Sequence, residues 1–269
     1  MDYEDRLIIY IDILGFSNFV NYTSQTRINT SEKIERIDKL LAMIRHFFKE
    51  EHQVLQLSKT RQSTSFSDLI VISISLEEID NMDIEIYEVF YLLLNATIRG
   101  FLLRGAIVYG KLIHTKDVIF GPGLIDAYNK EKTIAKYPRI IIDDVIVADL
   151  KDLPEKSKNA KSCEQIISRD TDGIYYIDFL KSARYEADNF REYTIFLSSF
   201  CDILLEMIDN PSLSEKYEWL KNKFTNHVNT YADAFNFTFL DEEELTKDDL
   251  GTYKMLLSEF RDKSFKNKL

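Results

Sequence analysis

The chain has 269 residues, of which 45% are hydrophobic and 29% are charged, and its formal net charge is −11. A chain of this length can bury a sizeable core, either as one large domain or as two small ones. The acidic balance argues against general nucleic-acid binding, which needs clustered Lys and Arg. It is compatible with a small anionic substrate if a metal ion supplies local positive charge.

Cysteine content and hydropathy bear on location. Cys163 and Cys201 are the only cysteines, and they form neither a zinc-binding pattern nor a disulfide framework, so a cytoplasmic, reducing location is expected. No apolar run approaches the ~20 residues that a membrane-spanning helix needs, so no membrane partner is expected.

The first half of the chain predicts apolar strands that alternate with helices. In chain order these are a buried strand at 7–14, a helix from Phe16, an amphipathic helix at about 31–51, a short strand at 54–57, a hairpin connection at 59–65, a buried strand at 68–74 and an apolar helix at 84–99.

The second half continues this pattern and then becomes helical. It predicts a strand at 102–110, short extended pieces at 112–115 and 118–120, a helix at 124–135, a strand at 139–142, a lysine-rich exposed excursion at 151–169, a strand at 173–178, an αα-hairpin at 193–208 and 214–231, and a solvated acidic segment at 241–249. This order favours an α+β fold with an antiparallel-rich sheet over a doubly wound parallel sheet. Residues 1–185 are expected to form that domain, and residues 186–269 a helical extension packed on it.

Two aspartates lie at the ends of predicted buried strands. Asp12 closes the first apolar strand and is followed by a Gly-Phe turn, whereas Asp68 opens the strand at 68–74. A carboxylate is costly inside a core unless a positive group meets it. Two carboxylates in such settings point to a divalent metal site. The alternative is that they are only a helix cap and a strand-end turn residue.

Four motifs carry a family resemblance: IDILGF, FSDLIVIS, LRGAIVYGK and IFGPGLIDAYNKEK. In this order, over about residues 7–142, they resemble the catalytic core of class III nucleotidyl cyclases. More narrowly, they look like the Pycsar-type pyrimidine cyclases of phage-defence loci. The resemblance implies a ferredoxin-like core and a cyclase that converts a nucleoside triphosphate to a 3′,5′-cyclic mononucleotide and pyrophosphate, in antiphage signalling.

The resemblance also assigns a metal and phosphate site. Asp12, Asp68 and the main-chain carbonyl of Ile13 would bind two Mg²⁺ or Mn²⁺ ions. The backbone amides of residues 14–16 (Leu14, Gly15 and Phe16), at a helix start, would hold phosphate oxygens. In the family the active site is shared between two subunits, so a head-to-tail homodimer is implied.

The base-reading positions depart from those of purine cyclases. Thr64 and Val118 occupy the two positions where purine cyclases carry a polar pair, and an apolar Val118 cannot make the purine-reading hydrogen bond. This slightly favours UTP or CTP as substrate. Phe66 can stack on a base or pack in the core.

The charge-neutralising positions depart as well. Aligned on Gly121, the family motif G-x-x-V-N-x-A-x-R has Ile125 where the family has Asn and Asn129 where it has Arg. Lys130 and Lys132 lie nearby. Helical spacing keeps Lys132 on the face of Asn129 and turns Lys130 away. The alternative is that both lysines belong to a solvated helix face.

Arg104 lies inside an apolar strand, where a buried Arg usually has a carboxylate or phosphate partner. A core salt bridge, or one to Asp12 or Asp68, and a triphosphate contact are both open. The predicted catalytic residues are therefore Asp12, Asp68, Arg104 and Lys132. The rival function is a non-catalytic cyclase homologue that binds a nucleotide or a protein.

Overall fold

One mixed sheet organises the N-terminal part of the chain. The computed structural model describes residues 2–25, 30–48, 60–153, 163, 165–187, 190–208 and 210–232. The strands are β1 (Glu4–Ile13), β2 (Gln62–Phe66), β3 (Leu69–Ser75), β4 (Leu103–His114), β5 (Ile119–Phe120), β6 (Ile140–Ile142), β7 (Ile167–Arg169) and β8 (Tyr175–Ile177).

Helices fill most of the sequence between and after the strands. They are α1 (Phe16–Gln25), α2 (Thr30–Phe48), α3 (Met82–Ile98), α4 (Pro122–Lys130), α5 (Asp144–Asp152), α6 (Phe179–Glu186), α7 (Phe190–Ile208) and α8 (Ser214–Ala232). A 3₁₀ segment spans Leu76–Asn81, another spans Pro211–Leu213, and a π-helical turn at Glu131–Ala135 continues α4. In the part of the chain that the structure describes, no helix is long and apolar enough to cross a membrane.

The sheet is built around a ferredoxin-like arrangement. The strand order is β2-β3-β1-β4-β6-β8-β7, and β5 pairs with β4. The first four strands are antiparallel neighbours, with α1 and α2 between β1 and β2 and α3 between β3 and β4. Only the pairing of β4 with β6 is parallel among the recorded pairs. The predicted α+β fold with an antiparallel-rich sheet is confirmed.

Helix α4 lies directly on β1 and β4 because two glycines allow it. A Cβ atom at Gly123 would lie 2.4 Å from Ile8 Cδ1 and 2.9 Å from Gly110 Cα. Any larger side chain at Gly123 would therefore push α4 off the sheet. The close approach brings the C-terminal end of α4 over the row of side chains that contains Tyr10 and Asp12.

Some local predictions were wrong. The predicted hairpin connection at 59–65 is largely strand β2, whose polar sequence QSTSF is half exposed at the sheet edge and so lacks an apolar signal. The predicted excursion at 151–169 contains the end of α5 and the edge strand β7. The extended piece at 112–115 is mostly the end of β4. The predictions at 54–57 and 241–249 lie outside the described residues.

The chain divides into two compact units, residues 1–178 and residues 179–269. Within the second unit, α7 and α8 form the predicted pair of helices around Asn210 and Pro211. Phe200 stacks on Phe224 with ring centroids 4.7 Å apart. The buried Tyr193 hydroxyl lies 2.8 Å from His227 Nε2. The predicted packing of a helical extension on the core stays a prediction.

Candidate active site

Asp12 and Asp68 lie at the same end of the sheet. Asp12 is the penultimate residue of β1, opposite Leu69 of β3. Asp68 does not open β3, as the sequence predicted, but lies in the tight turn between β2 and β3, after Ser67 with a φ of 58°. The Ile13 N–H donates to the Asp68 carbonyl at 3.1 Å, which ties the turn to the end of β1.

A glycine turn follows Asp12 and leads into α1. Gly15 has a φ of 76°, a conformation that favours glycine, and α1 begins at Phe16. The Leu14 N–H donates to the Leu102 carbonyl at 2.9 Å, so this amide is already engaged. The Phe16 N–H has no acceptor within its own helix because it belongs to the first turn. Of the three predicted phosphate-binding amides, those of Gly15 and Phe16 remain suited to the role.

Arg104 lies directly opposite Asp12 in the pairing of β1 with β4. Its Nη2 atom is 3.7 Å from Asp12 Oδ2 and makes an ion pair with Glu131 Oε1. Glu131 begins the π-helical turn and is only 4% exposed. Glu131 is therefore buried beside Arg104, and of the two carboxylates paired with this guanidinium it is the closer one.

Sequence reasoning missed Glu131. The residues Gly123, Ala127, Glu131 and Ala135 recur every four positions and are all buried. That spacing is the helical signal for a sheet-facing stripe, and a Glu within a stripe of small residues is its anomalous member.

We call Asp12, Asp68, Glu131 and Arg104 the acidic cluster. Asp12 and Glu131 pair with the Arg104 guanidinium, and Asp68 acts on Asp12 through its charge. The cluster therefore has two negative charges in excess when every group is ionised. Burial raises the pKa of Asp12 to about 6, with further contributions from Glu131 and Asp68 that Arg104 opposes. Burial and the charges of Glu131 and Asp12 also raise the pKa of Tyr10 to about 12. The electrostatics of this end of the sheet therefore favour a bound cation.

The donor atoms fit a cation that a substrate helps to bind. Within the described residues, no group of three or more His, Cys, Asp or Glu side chains is arranged to hold a metal ion. Mg²⁺ usually keeps several waters and binds through one or two carboxylates together with substrate phosphates. The carboxylates of Asp12 and Asp68, together with the main-chain carbonyl of Ile13, would supply the few protein oxygen ligands that such an ion needs.

Thr64, one of the two predicted base-reading residues, lies on the same face of the sheet as Asp12. Thr64 is opposite Val71, which is opposite Tyr10, so these side chains share the face that carries Asp12. From strand spacing, Thr64 lies about 12 Å from Asp12. Thr64 Oγ1 is 3.0 Å from Nε2 of the buried His114, a partner that the sequence did not reveal.

The two apolar residues predicted near the base are both open to solvent. Phe66 is 79% exposed at the end of β2, so it does not pack in the core of this chain. Val118 is 43% exposed in the loop before β5, where its carbonyl accepts the Thr115 N–H at 2.8 Å.

Lys130, at the end of α4, and Lys132, in the π-helical turn that follows, differ in their surroundings. Lys130 Nζ bonds to Asp143 at 2.7 Å and to Asp126 at 2.9 Å. Lys132 is exposed, and its Nζ lies 3.4 Å from the Tyr128 hydroxyl. Tyr128 in turn makes an edge contact with Tyr10, with centroids 6.1 Å apart. Lys132 therefore contacts the residue that touches Tyr10, whereas Lys130 is engaged by two carboxylates.

The positions of the family Asn and Arg are both exposed in this chain. Ile125 is 63% exposed and Asn129 also faces solvent. Neither residue contacts the acidic cluster in the described structure.

Comparison with known proteins gives distant similarities. No protein-family model matches the chain, and no curated protein matches it. A monomeric guanylyl cyclase domain of the RhoGC fusion protein from the aquatic fungus Blastocladiella emersonii is 11% identical, with a TM-score of 0.40 over 66% of this chain and 96% of that one.

Two further solved structures are similar at the same level. The catalytic core of a rhodopsin-guanylyl cyclase with converted specificity, in complex with ATPαS, is 12% identical, with a TM-score of 0.39 over 66% of this chain and 97% of that one. A bacterial light-regulated adenylyl cyclase is 11% identical, with a TM-score of 0.40 over 74% of this chain and 100% of that one.

Proposed function

We propose that this chain is a metal-dependent nucleotide cyclase that converts a nucleoside triphosphate to a 3′,5′-cyclic mononucleotide and pyrophosphate. The observation that carries the proposal is the acidic cluster, in which Asp12 and Asp68 belong to the same end of the sheet and which has two negative charges in excess when every group is ionised. The order of motifs from IDILGF to IFGPGLIDAYNKEK supports the same function. The resemblance to Pycsar-type cyclases extends the proposal to antiphage signalling.

The reaction needs the ribose 3′-oxygen to attack the α-phosphorus. The O3′–Pα bond forms, the bond from Pα to the bridging oxygen breaks, pyrophosphate leaves with that electron pair, and the 3′-hydroxyl proton passes to solvent. Two Mg²⁺ or Mn²⁺ ions, when bound, would activate the hydroxyl and balance charge on the phosphates. Asp12, Asp68 and the Ile13 carbonyl are the groups that would hold them.

The remaining parts of the site would bind and orient the triphosphate. The backbone amides of Gly15 and Phe16 lie at the start of α1, have no acceptor recorded among the described residues, and suit phosphate oxygens. Lys132, in the π-helical turn that continues α4, has a more accessible ammonium group than Lys130, so it is the one suited to the α-phosphate. Arg104 can contribute only if its pairing with Glu131 changes.

A pyrimidine nucleotide is the preferred substrate in this proposal. Thr64 and Val118 replace the polar pair that reads a purine, and the exposed Phe66 is available to stack on a base. UTP and CTP are therefore expected to react faster than ATP and GTP.

A head-to-tail homodimer completes the proposed site. In such a dimer α4 of one subunit approaches the acidic cluster of the other. The exposed Ile125 and Tyr128 on α4 supply apolar surface for this contact. A dimer in solution supports this part of the proposal, and a protein that cyclises nucleotides as a strict monomer contradicts it.

The second candidate is a non-catalytic cyclase homologue that binds a nucleotide or a protein. Two observations favour it. Arg104 forms an ion pair with Glu131, and Lys130 forms ion pairs with Asp126 and Asp143. A site with little cationic support for the α-phosphate loses transition-state stabilisation.

One assay separates these two functions. The purified chain is incubated with each of the four nucleoside triphosphates and Mg²⁺ or Mn²⁺, and cyclic mononucleotide and pyrophosphate are measured by mass spectrometry. A cyclic product made by the wild type and lost in Asp12→Asn supports the cyclase. Nucleotide binding with no product under any condition supports the non-catalytic homologue.

A further inference from the structure

One guanidinium nitrogen of Arg104 lies between the carboxylates of Asp12 and Glu131. Arg104 is directly opposite Asp12 in the pairing of β1 with β4, so the two side chains leave the same face of the sheet side by side. The Nη2 atom of Arg104 nevertheless makes a close ion pair with Glu131 Oε1 and stays 3.7 Å from Asp12 Oδ2. The latter distance is too long for a hydrogen bond. Arg104 is therefore paired mainly with Glu131, although the strand register places it beside Asp12.

The burial of Glu131 accounts for this preference. Glu131 begins the π-helical turn after α4, and its side chain is 5% exposed, whereas the side chain of Asp12 is 27% exposed. A buried carboxylate is costly unless a positive group meets it. Water reaches Asp12 more easily than Glu131, so Glu131 has the greater need of the guanidinium. The pairing of Arg104 with Glu131 is therefore the more stable of the two.

Without the negative charge of Glu131, the guanidinium of Arg104 would pair with Asp12. Among the described residues, Asp12 is the other carboxylate within ion-pair distance of Arg104. The Nε atom of Arg104 is buried without a hydrogen-bond partner in that part of the chain, so the guanidinium has a donor to spare. Hydrogen bonds to a charged acceptor are the stronger ones. An ion pair of Arg104 with Asp12 would then occupy the oxygens that Asp12 offers to a cation.

We propose that Glu131 is a positioning residue of the metal site: by holding Arg104, it leaves the Asp12 carboxylate open to a divalent cation that Glu131 itself does not bind. This inference rests on the proposed metal-dependent function and adds a residue to it. Within the described residues, no three such side chains are arranged around one ion, so Glu131 is not placed as a third ligand. Its own negative charge and its hold on Arg104 both favour a cation at Asp12.

The alternative is an ion pair that only fastens the end of α4 to the sheet. Loss of a buried ion-pair partner destabilises a protein wherever the pair lies. Such a pair would change the melting temperature and leave the affinity of Asp12 for a cation unchanged. Metal affinity in folded variants therefore separates the two roles of Glu131.

Manganese binding is measured by electron paramagnetic resonance titration, with Mn²⁺ alone and with Mn²⁺ plus a non-cleavable UTP analogue. Asp12→Asn identifies the site, because binding there is lost in this variant. Glu131→Gln should weaken Mn²⁺ binding by about tenfold or more. Arg104→Met removes the competing cation and should bind Mn²⁺ at least as tightly as the wild type. The double variant Arg104→Met/Glu131→Gln loses equal and opposite charges, so its affinity should return to within about threefold of wild type.

Glu85→Gln is the matched control. Glu85 is a second buried glutamate, 1% exposed, and it pairs with Arg61 at 3.0 Å. It belongs to α3, whereas the charges that act on Asp12 are those of the acidic cluster. Glu85→Gln should therefore lower the melting temperature without changing the affinity for Mn²⁺. Thermal melts show which variants are folded.

The pairing of Arg104 is tested without any metal or nucleotide. In a crystal structure of metal-free Glu131→Gln, a guanidinium nitrogen of Arg104 is expected within about 3.2 Å of the Asp12 carboxylate. A guanidinium that keeps its wild-type distance from Asp12 would overturn the inference, whatever the chain binds.

The outcomes also separate this inference from the proposed function. Wild-type affinity for Mn²⁺ in folded Glu131→Gln, or a double variant as weak as Glu131→Gln alone, would overturn the role of Glu131. A wild type without Asp12-dependent Mn²⁺ binding in either titration would overturn the proposed metal site together with that role. Affinities in the expected order, in a protein that makes no cyclic product, support the role of Glu131 and contradict the cyclase.

Discussion

The acidic cluster and the hydroxyl relay (Arg6, Ser73, His114 and Thr64) lie on the same face of the sheet. They differ in how completely their polar groups are paired. In the relay, each buried donor meets an acceptor, and the one proton left over lies at the half-buried Thr64. In the acidic cluster, carboxylates outnumber cations and Arg104 Nε is buried without a hydrogen-bond partner among the described residues. A network in which every donor and acceptor is paired holds one geometry, whereas a site with excess charge or an unpaired donor can be completed by a ligand. The acidic cluster is therefore the region to which the proposed function assigns metal and phosphate chemistry.

The largest expected effect comes from Asp12→Asn. The amide keeps the shape of the side chain but removes a charged ligand, so cyclic product should fall at least about a thousandfold. Product formation is measured with Mg²⁺ and Mn²⁺ for the preferred nucleotide, with Ser63→Ala as the control. A variant that keeps a tenth of the wild-type rate would remove Asp12 from the proposed mechanism.

The second-largest expected effect is a pH dependence of stability that arises from the acidic cluster and not from the hydroxyl relay. The pKa of Asp12 is about 6 in the folded chain and 3.8 when unperturbed, so the folded state binds more protons between these values. Without metal, stability is therefore expected to fall as pH rises from about 4 to about 6, by roughly 1–3 kcal/mol. Asp12→Asn should lose this slope and melt at a higher temperature than the wild type at pH 7.5.

Two controls sharpen this comparison. Glu131→Gln should lower the pKa of Asp12, because Glu131 is one of the groups that raise it. Carbon-13 NMR titration of the Asp12 carboxyl measures the shift directly. His114→Gln, in the relay, should leave that titration unchanged. A wild-type Asp12 that titrates near its ordinary value would contradict the described electrostatics.

Base choice gives an intermediate effect. UTP and CTP should each have a kcat/KM about tenfold or more above those of ATP and GTP, because Thr64 and Val118 replace the purine-reading pair. Competition between nucleotides in one reaction measures these ratios. A clear preference for ATP would contradict the pyrimidine proposal and leave the cyclase proposal standing.

The smallest expected effect concerns Lys130 and Lys132, at the end of α4 and in the π-helical turn that follows it. Lys132→Ala should reduce turnover a few-fold more than Lys130→Ala, because Lys132 is accessible beside Tyr128. Lys130→Ala should instead reduce stability, by about 1 kcal/mol, because it removes the partner of Asp126 and Asp143. Paired turnover assays and thermal melts test both statements. Near-wild-type turnover in both variants would exclude a role for Lys132 in phosphate binding.

The sequence predicted the features that depend on apolar runs and missed those that depend on burial of polar groups. The strands around Asp12 and Asp68 were predictable because continuous Ile, Leu and Val mark buried strands. β2 was not predictable as a strand because its mostly polar residues are all half-buried or exposed at the sheet edge and show no apolar alternation. The partners Glu131 and His114 were missed because only three-dimensional packing brings them to Arg104 and Thr64.

Helix spacing was only partly informative near Lys132. Regular spacing predicted that Lys132 and Lys130 point in different directions, and the two lysines do have different partners. The π-helical turn at Glu131–Ala135 was not predictable, since its widened hydrogen bonding leaves no mark in apolar periodicity.

The central claim is that Asp12 and Asp68 hold a divalent cation together with a nucleoside triphosphate. The most direct measurement is a crystal structure with Mn²⁺ and a non-cleavable UTP analogue, with data collected at the manganese absorption edge. The account predicts anomalous peaks within bonding distance of both carboxylates and of the analogue's phosphates. Manganese bound elsewhere, or an analogue seated away from Asp12 and Asp68, would contradict it.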